Sequence, residues 1–204
     1  MAVCFAGSTG YRIAMRQADG TIRKRRYSIN DPGHAHELTF SCYKGLPLLG
    51  RDRTRQWFIE ALDRARTKHS LEMWAFVIMP EHVHLLLLPQ PAEYRMAAIL
   101  QAIKQPVACR AIDYLRTHHA AWLEKLRVNR RSARAIYHFW QPGGGCDRNL
   151  TNAAIAWQSV EYMHNNPVRR GLAKHPTDWA WSSARWYDGH DDVVLPMDAT
   201  PPNP

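Results

Sequence analysis

Apolar and polar positions alternate along this chain with two different periods, and the period changes mark its elements. "HELTFSCY" (residues 36–43) alternates residue by residue and predicts a first strand. After the loop "KGLPLLG", the stretch from Arg53 to His69 repeats Phe58, Leu62 and Ala65 at helical spacing, with arginines on the other face. "EMWAFVIM" (72–79) predicts a second strand, broken at Pro80, and "HVHLLLL" (82–88) a third, closed by Pro89. The short Pro-Glu connection predicts an antiparallel hairpin. A second helix begins in "AEYRMAAILQAIK", with Met96, Ile99, Leu100 and Ile103 on one face; Pro106 should kink or end it before "ACRAIDYLRTHHAAWLEKL" resumes.

The remaining third is mixed. "RVNRRSARA" is expected as a solvated basic loop, "IYHFWQ" as a short strand and "PGGG" as a flexible turn. Thr151 or Asn149 is placed to cap a helix running through Asn165, stopped by Pro167 and Gly171. Strand, helix, strand, strand, helix is an α+β order. It predicts an antiparallel sheet with helices packed on one side, ferredoxin-like in outline. Three segments are expected: an irregular basic stretch over 1–33 holding "RKRR" (Arg23 to Arg26), one domain over 34–189, and a flexible tail over 190–204.

Composition narrows the setting. A chain of 204 residues can bury a core without disulfides or structural metals. Its four cysteines (Cys4, Cys42, Cys109 and Cys146) are scattered, so neither a disulfide framework nor a cysteine zinc site is expected. The opening "MAVCFAGSTGYR" lacks the pattern of a signal peptide, and no apolar run is long enough to span a bilayer. A cytoplasmic protein with no membrane partner is the expectation. Lys and Arg total 27 against 18 acidic residues, a net charge of +9. Arginine predominates, and eight tryptophans and eight tyrosines are interleaved with it, a composition suited to phosphates and unpaired bases.

Two stretches carry candidate chemistry. In "MPEHVHLLLLP" (79–89), His82 and His84 are two apart on a strand and so share one face. Two imidazoles on a rigid surface can chelate a divalent cation if a third ligand comes from elsewhere. The spacing alone also fits two histidines on an exposed sheet face. In "SVEYMHNNPVRRGL", Tyr162 lies off the stripe made by Ala156, Val160 and Met163, and Asn166 follows it by one turn. A phenol beside a metal can attack a phosphodiester. The same spacing fits a tyrosine packed at a helix end with Asn166 as a cap.

Taken together, "MPEHVHLLL", "EYMHNNPVRRGL", "HFWQPGGG" with "DRNL", and "DWAWSSARWY" resemble the HUH-type single-tyrosine transposases, within them the REP-associated tyrosine transposases. The resemblance spans about residues 34 to 188. It implies an HUH nuclease core that cleaves and rejoins single-stranded DNA at hairpins through a 5′-phosphotyrosyl link. Tyr162 would be the nucleophile, and His82, His84 and Asn166 would hold Mg2+ or Mn2+. Cys146 stands where the closest members would carry an aromatic residue, which bears on base stacking and not on the chemistry.

For a hairpin substrate, phosphate contacts are expected from Lys104, Arg130, Arg131, Arg148, Arg169 and Arg170. Arg148 and the pair Arg169 and Arg170 are favoured near the cleaved phosphate. Such an enzyme works as a monomer or as a homodimer. Two other readings stand beside it: a domesticated hairpin-binding protein without transposition, and a metal-dependent phosphodiesterase in which Tyr162 only positions substrate.

Overall fold

In the computed structural model of the protein, the described residues are 13–16 and 22–25 (backbone only), 29–128 and 135–203. Six strands run β1 (Ile13–Arg16), β2 (Ile22–Arg25), β3 (Ala35–Ser41), β4 (Leu71–Ile78), β5 (His82–Pro89) and β6 (Cys146–Leu150). The helices are α1 (Asp52–His69), α2 (Met96–His118), α3 (Ala120–Lys125), α4 (Ala153–Arg169) and α5 (Ala184–Tyr187). β3 to β6 form one antiparallel sheet in the order β4-β5-β3-β6. With α1 between β3 and β4 and α2 between β5 and β6, this is the ferredoxin-like arrangement that the element order predicted.

The helices do not all lie on one side. Leu38, Phe40, Phe76, Val83, Leu85 and Leu87 share a core with Phe58, Leu62, Ile99 and Ile103 of α1 and α2. On the opposite face Ala75, Val77 and Leu86 pack against Ala156, Val160 and Met163 of α4. Strand alternation sorts β5 accordingly: Val83, Leu85 and Leu87 face α1 and α2, and His82, His84 and Leu86 face α4. Burial on both faces is why β5 reads as a nearly unbroken apolar run.

Local details differ from the sequence expectation in ways that packing explains. Met79 N donates to His82 O at 2.9 Å, closing the predicted Pro80–Glu81 hairpin turn. Pro106 lies inside α2, which runs on because Ile103 and Val107 on either side of it are both buried. The helical stretch breaks instead at His119, between α2 and α3. "IYHFWQ" forms only single bridges, Tyr137 to Arg127 and Trp140 to Cys42. The true N-cap of α4 is Asn152, whose side-chain oxygen accepts from Ile155 N at 3.1 Å, and the helix runs through Pro167 to Arg169. Within the segment expected to be irregular, β1 and β2 pair with each other antiparallel.

β6 was not foreseen. It completes the sheet beside β3, and Gly145 just before it makes the approach possible. Its φ is +85°, and a side chain there would run into the Thr39 carbonyl and Phe40.

The tail is the largest correction. Leu195 and Met197 are buried in the α1 and α2 core, at 4% and 6% exposure. Asp198 exchanges bonds with the backbone of Met73, N to O at 3.1 Å and Oδ2 from N at 2.9 Å. Trp181 O accepts from Ile78 N at 2.9 Å, and Ser183 N donates to Phe76 O at 3.0 Å. The outer edge of β4 is therefore covered by the C-terminal segment, which satisfies its backbone groups and removes it as a template for another strand. Among the described residues, no helix is long and apolar enough to cross a membrane.

Candidate active site

The paired histidines converge. His82 Nε2 and His84 Nε2 are 3.0 Å apart, with the rings edge to face at 4.8 Å. Both rings are buried, and each is held from behind at Nδ1. His82 Nδ1 lies 3.3 Å from the Glu81 carboxylate, and His84 Nδ1 lies 2.9 Å from the hydroxyl of Thr39, its register partner on β3. Burial lowers the pKa of both. It pushes His84 down to about 3, with His82 adding to the effect. For His82, Glu81 opposes the burial. Both rings are thus neutral at pH 7, the form in which imidazole binds metals.

The tautomers follow from the partners. A carboxylate only accepts, so His82 carries its proton on Nδ1 and presents a bare Nε2. In the metal-free protein His84 then donates from Nε2 to His82, and its Nδ1 accepts from Thr39. The Thr39 hydroxyl can equally accept. Rotating it lets the His84 proton move to Nδ1 and frees a second Nε2 lone pair, with no net proton change.

A divalent cation fits this pair. Bonds of about 2.1 Å meeting at a right angle separate two nitrogens by about 3.0 Å, the spacing of adjacent ligands on one ion. Among the described residues, no cluster of three His, Cys, Asp or Glu side chains could hold a metal. Any third protein ligand would therefore be of another residue type. Asn166 is 9% exposed, and its Nδ2 is buried without a hydrogen-bond partner. A half-turn of the carboxamide exchanges nitrogen and oxygen at that place.

Helix α4 brings the rest. Tyr162 is half-buried, and its ring meets that of His84 edge to face, centroids 6.2 Å apart. Eight residues on, Arg170 Nη2 reaches the Glu81 carboxylate at 2.8 Å. Tyr162, Asn166 and Arg170 form one i, i+4, i+8 stripe, anchored on His84 at one end and beside His82 at the other. Asn166 lies between the anchors. The Arg169 guanidinium is 5.1 Å from the centre of the Tyr162 ring.

The other expected contacts are dispersed. Arg148 on β6 faces α4, where it pairs with Glu37 at 2.7 Å and donates to Ser159 at 2.9 Å. Register puts it one row from His84, since Thr39 pairs with His84 and Glu37 with Arg148. Lys104 is on α2, across the sheet from the histidines, donating to Gly143 O at 3.1 Å beside the Phe40 ring. Arg130 and Arg131, like the Arg23 to Arg26 side chains, lie outside the described residues. Sequence reasoning missed Thr39, Glu37, Ser159 and Glu81. Only Glu81, next to His82 in the quoted stretch, carried a signal; the others need the strand register.

Among solved structures, the chain is similar to a REP-associated tyrosine transposase bound to a REP hairpin. Identity is 22%, the TM-score 0.58, and 86% of this chain and 89% of that one are covered. It also overlaps a transposase candidate from Deinococcus radiodurans R1, with 20% identity, a TM-score of 0.43, and 70% and 95% of the two chains covered. No protein-family model matches the sequence, and no curated protein is significantly similar to it. The first likeness establishes the fold: the sheet and helices described above are arranged as they are in that solved structure.

Proposed function

We propose that the protein cleaves and rejoins single-stranded DNA at hairpin sequences, as an HUH-type tyrosine transposase of the REP-associated kind. The observation that carries this reading is the docking of Tyr162 against His84, one of two converging histidines of its own chain. The fold shared with a transposase bound to a REP hairpin supports the substrate class.

His82, His84 and Asn166 would hold Mg2+ or Mn2+. Such an ion would polarise the phosphoryl oxygens and stabilise the leaving alkoxide. The chain does the rest. The Tyr162 oxygen attacks phosphorus as its proton leaves to water, and the bond from phosphorus to the 3′ oxygen breaks. The released oxygen takes up a proton as a 3′-hydroxyl, and the 5′ side stays linked to Tyr162. A 3′-hydroxyl then attacks the phosphotyrosine, Tyr162 leaves, and the phosphodiester is restored. The covalent link retains what hydrolysis would discard. Arg169, beside the nucleophile, would bind the attacked phosphate. With metal ligands and tyrosine in one chain, a monomer suffices.

The test is a labelled single-stranded hairpin oligonucleotide incubated with Mn2+ and resolved on a denaturing gel. A covalent protein–DNA band is expected, lost in Tyr162→Phe and in His82→Ala. Cleavage that survives Tyr162→Phe would replace this reading with a hydrolase. Tight binding with neither band nor cleavage would replace it with a hairpin-binding module.

A further inference from the structure

We infer that Glu81 and Arg170 form a positioning pair that seats the tyrosine helix on the histidine strand, and that the same carboxylate orients His82. The inference deepens the proposed function and rests on it.

Glu81 is well fixed for such work. It ends the tight turn into β5, and its backbone oxygen accepts from Cys42 N at 2.8 Å. Its side chain is 19% exposed. A single oxygen, Oε1, then serves two elements: it is 3.3 Å from His82 Nδ1 and 2.8 Å from Arg170 Nη2. Arg170 immediately follows α4, and its own N–H caps the helix on Asn166 O and Val168 O. The bridge therefore joins the start of the strand that carries the histidines to the end of the helix that carries Tyr162. A shift of α4 along its axis would strain or break one of these two contacts.

The two neighbouring arginines thus take different roles. The charge of Arg170 is committed to Glu81. Arg169 turns the other way, onto the face of Tyr162, and pairs with no carboxylate among the described residues. Phosphate contact falls to Arg169, whereas Arg170 acts through Glu81. Arg170 is 53% exposed, so the bridge adds little to global stability. Its effect is on geometry, and a displacement of even 1 Å at a reacting centre can cost roughly 100-fold in rate.

The experiment compares the full chain with Arg170→Ala, Glu81→Gln and Arg169→Ala by three measurements. These are hydrogen exchange of the 162–170 amides without metal, Mn2+ affinity by calorimetry, and adduct formation at saturating Mn2+ and hairpin. Arg170→Ala should speed exchange over the end of α4 and slow adduct formation by roughly tenfold. Its hairpin affinity should stay within about twofold. Glu81→Gln should show the same exchange and also lose roughly tenfold in Mn2+ affinity, because a neutral amide oxygen is a weaker acceptor for the His82 Nδ1–H than the carboxylate. Arg169→Ala should weaken hairpin binding with exchange unchanged.

Wild-type exchange in Arg170→Ala would overturn the pair. So would weaker hairpin binding by Arg170→Ala at an unchanged adduct rate, which would make Arg170 a plain phosphate contact. If the unaltered protein forms no adduct, the proposed function fails, and exchange with Mn2+ affinity still decides the pair.

Discussion

His84 on β5 and Tyr162 on α4 meet edge to face, ring centroids 6.2 Å apart and planes at 89°. The two elements are distant in sequence, and only the packing of α4 across β4 and β5 brings them together. The contact is made within one chain. It is held from the far side by the C-terminal segment, where Ser183 binds both His164 on α4, at 2.7 Å, and the backbone of Phe76 on β4.

Thr39 controls the His84 tautomer through its hydroxyl, so Thr39→Val should weaken metal binding. The expected loss is about 10- to 100-fold in Mn2+ affinity by calorimetry, with the fold intact by circular dichroism. Unchanged affinity would mean that the hydroxyl takes no part in loading.

Arg148 is tied to Glu37 and Ser159, with side-chain exposures of 30% for Arg148 and 16% for Glu37. Removing its charge leaves a largely buried carboxylate with the Ser159 hydroxyl as its remaining donor. Arg148→Met should cost roughly 2 kcal/mol, about 4–8 °C of melting temperature. Hairpin affinity should change less than about threefold, since the charge is already matched. A large loss of affinity at an unchanged melting temperature would make Arg148 a DNA contact instead.

His164 is buried against Ser183, and burial pushes its pKa down to about 4. The unfolded chain takes up its proton near pH 6.5 and the folded chain only near 4, so protonation favours unfolding between these values. Stability is full above pH 6.5 and falls as the pH drops toward 4, by roughly 3 kcal/mol from this residue. Urea titrations of metal-free protein should show that slope, and His164→Gln should flatten it.

Ending the chain before Asp191 removes Leu195, Met197 and the Asp198 bridge to Met73. Burying each of the two apolar side chains contributes about 1.5–3 kcal/mol, so the truncated protein should melt well below the full chain. The Met73 end of the β4 edge, bared by the truncation, should also promote self-association, measurable by light scattering after size exclusion. An unchanged melting temperature would show the tail to be dispensable.

The net charge of +9 should make hairpin binding steeply salt-dependent. Between about 50 and 200 mM salt, affinity should fall at least roughly tenfold. A flat titration would remove the phosphate contacts from the proposal.

Several things were legible in the sequence because they depend on neighbours along the chain. Alternation in "HELTFSCY", the Pro-Glu turn, and helical spacing in α1 and α4 are local, and each element formed where its period lay. The shared face of His82 and His84, and the stacking of Tyr162 over Asn166, follow from the same local geometry. The tertiary structure alone decided which faces met. It put α4 on the histidine side of the sheet, drew Thr39 and Glu37 into the site through the register of β3, and divided Arg169 from Arg170. It also docked a proline-rich tail on the α1 and α2 core and on the Met73 end of β4, because the partners that tail needs lie far away in the chain. Period fixes an element, but a site also needs register and burial, and these depend on contacts between residues far apart in sequence.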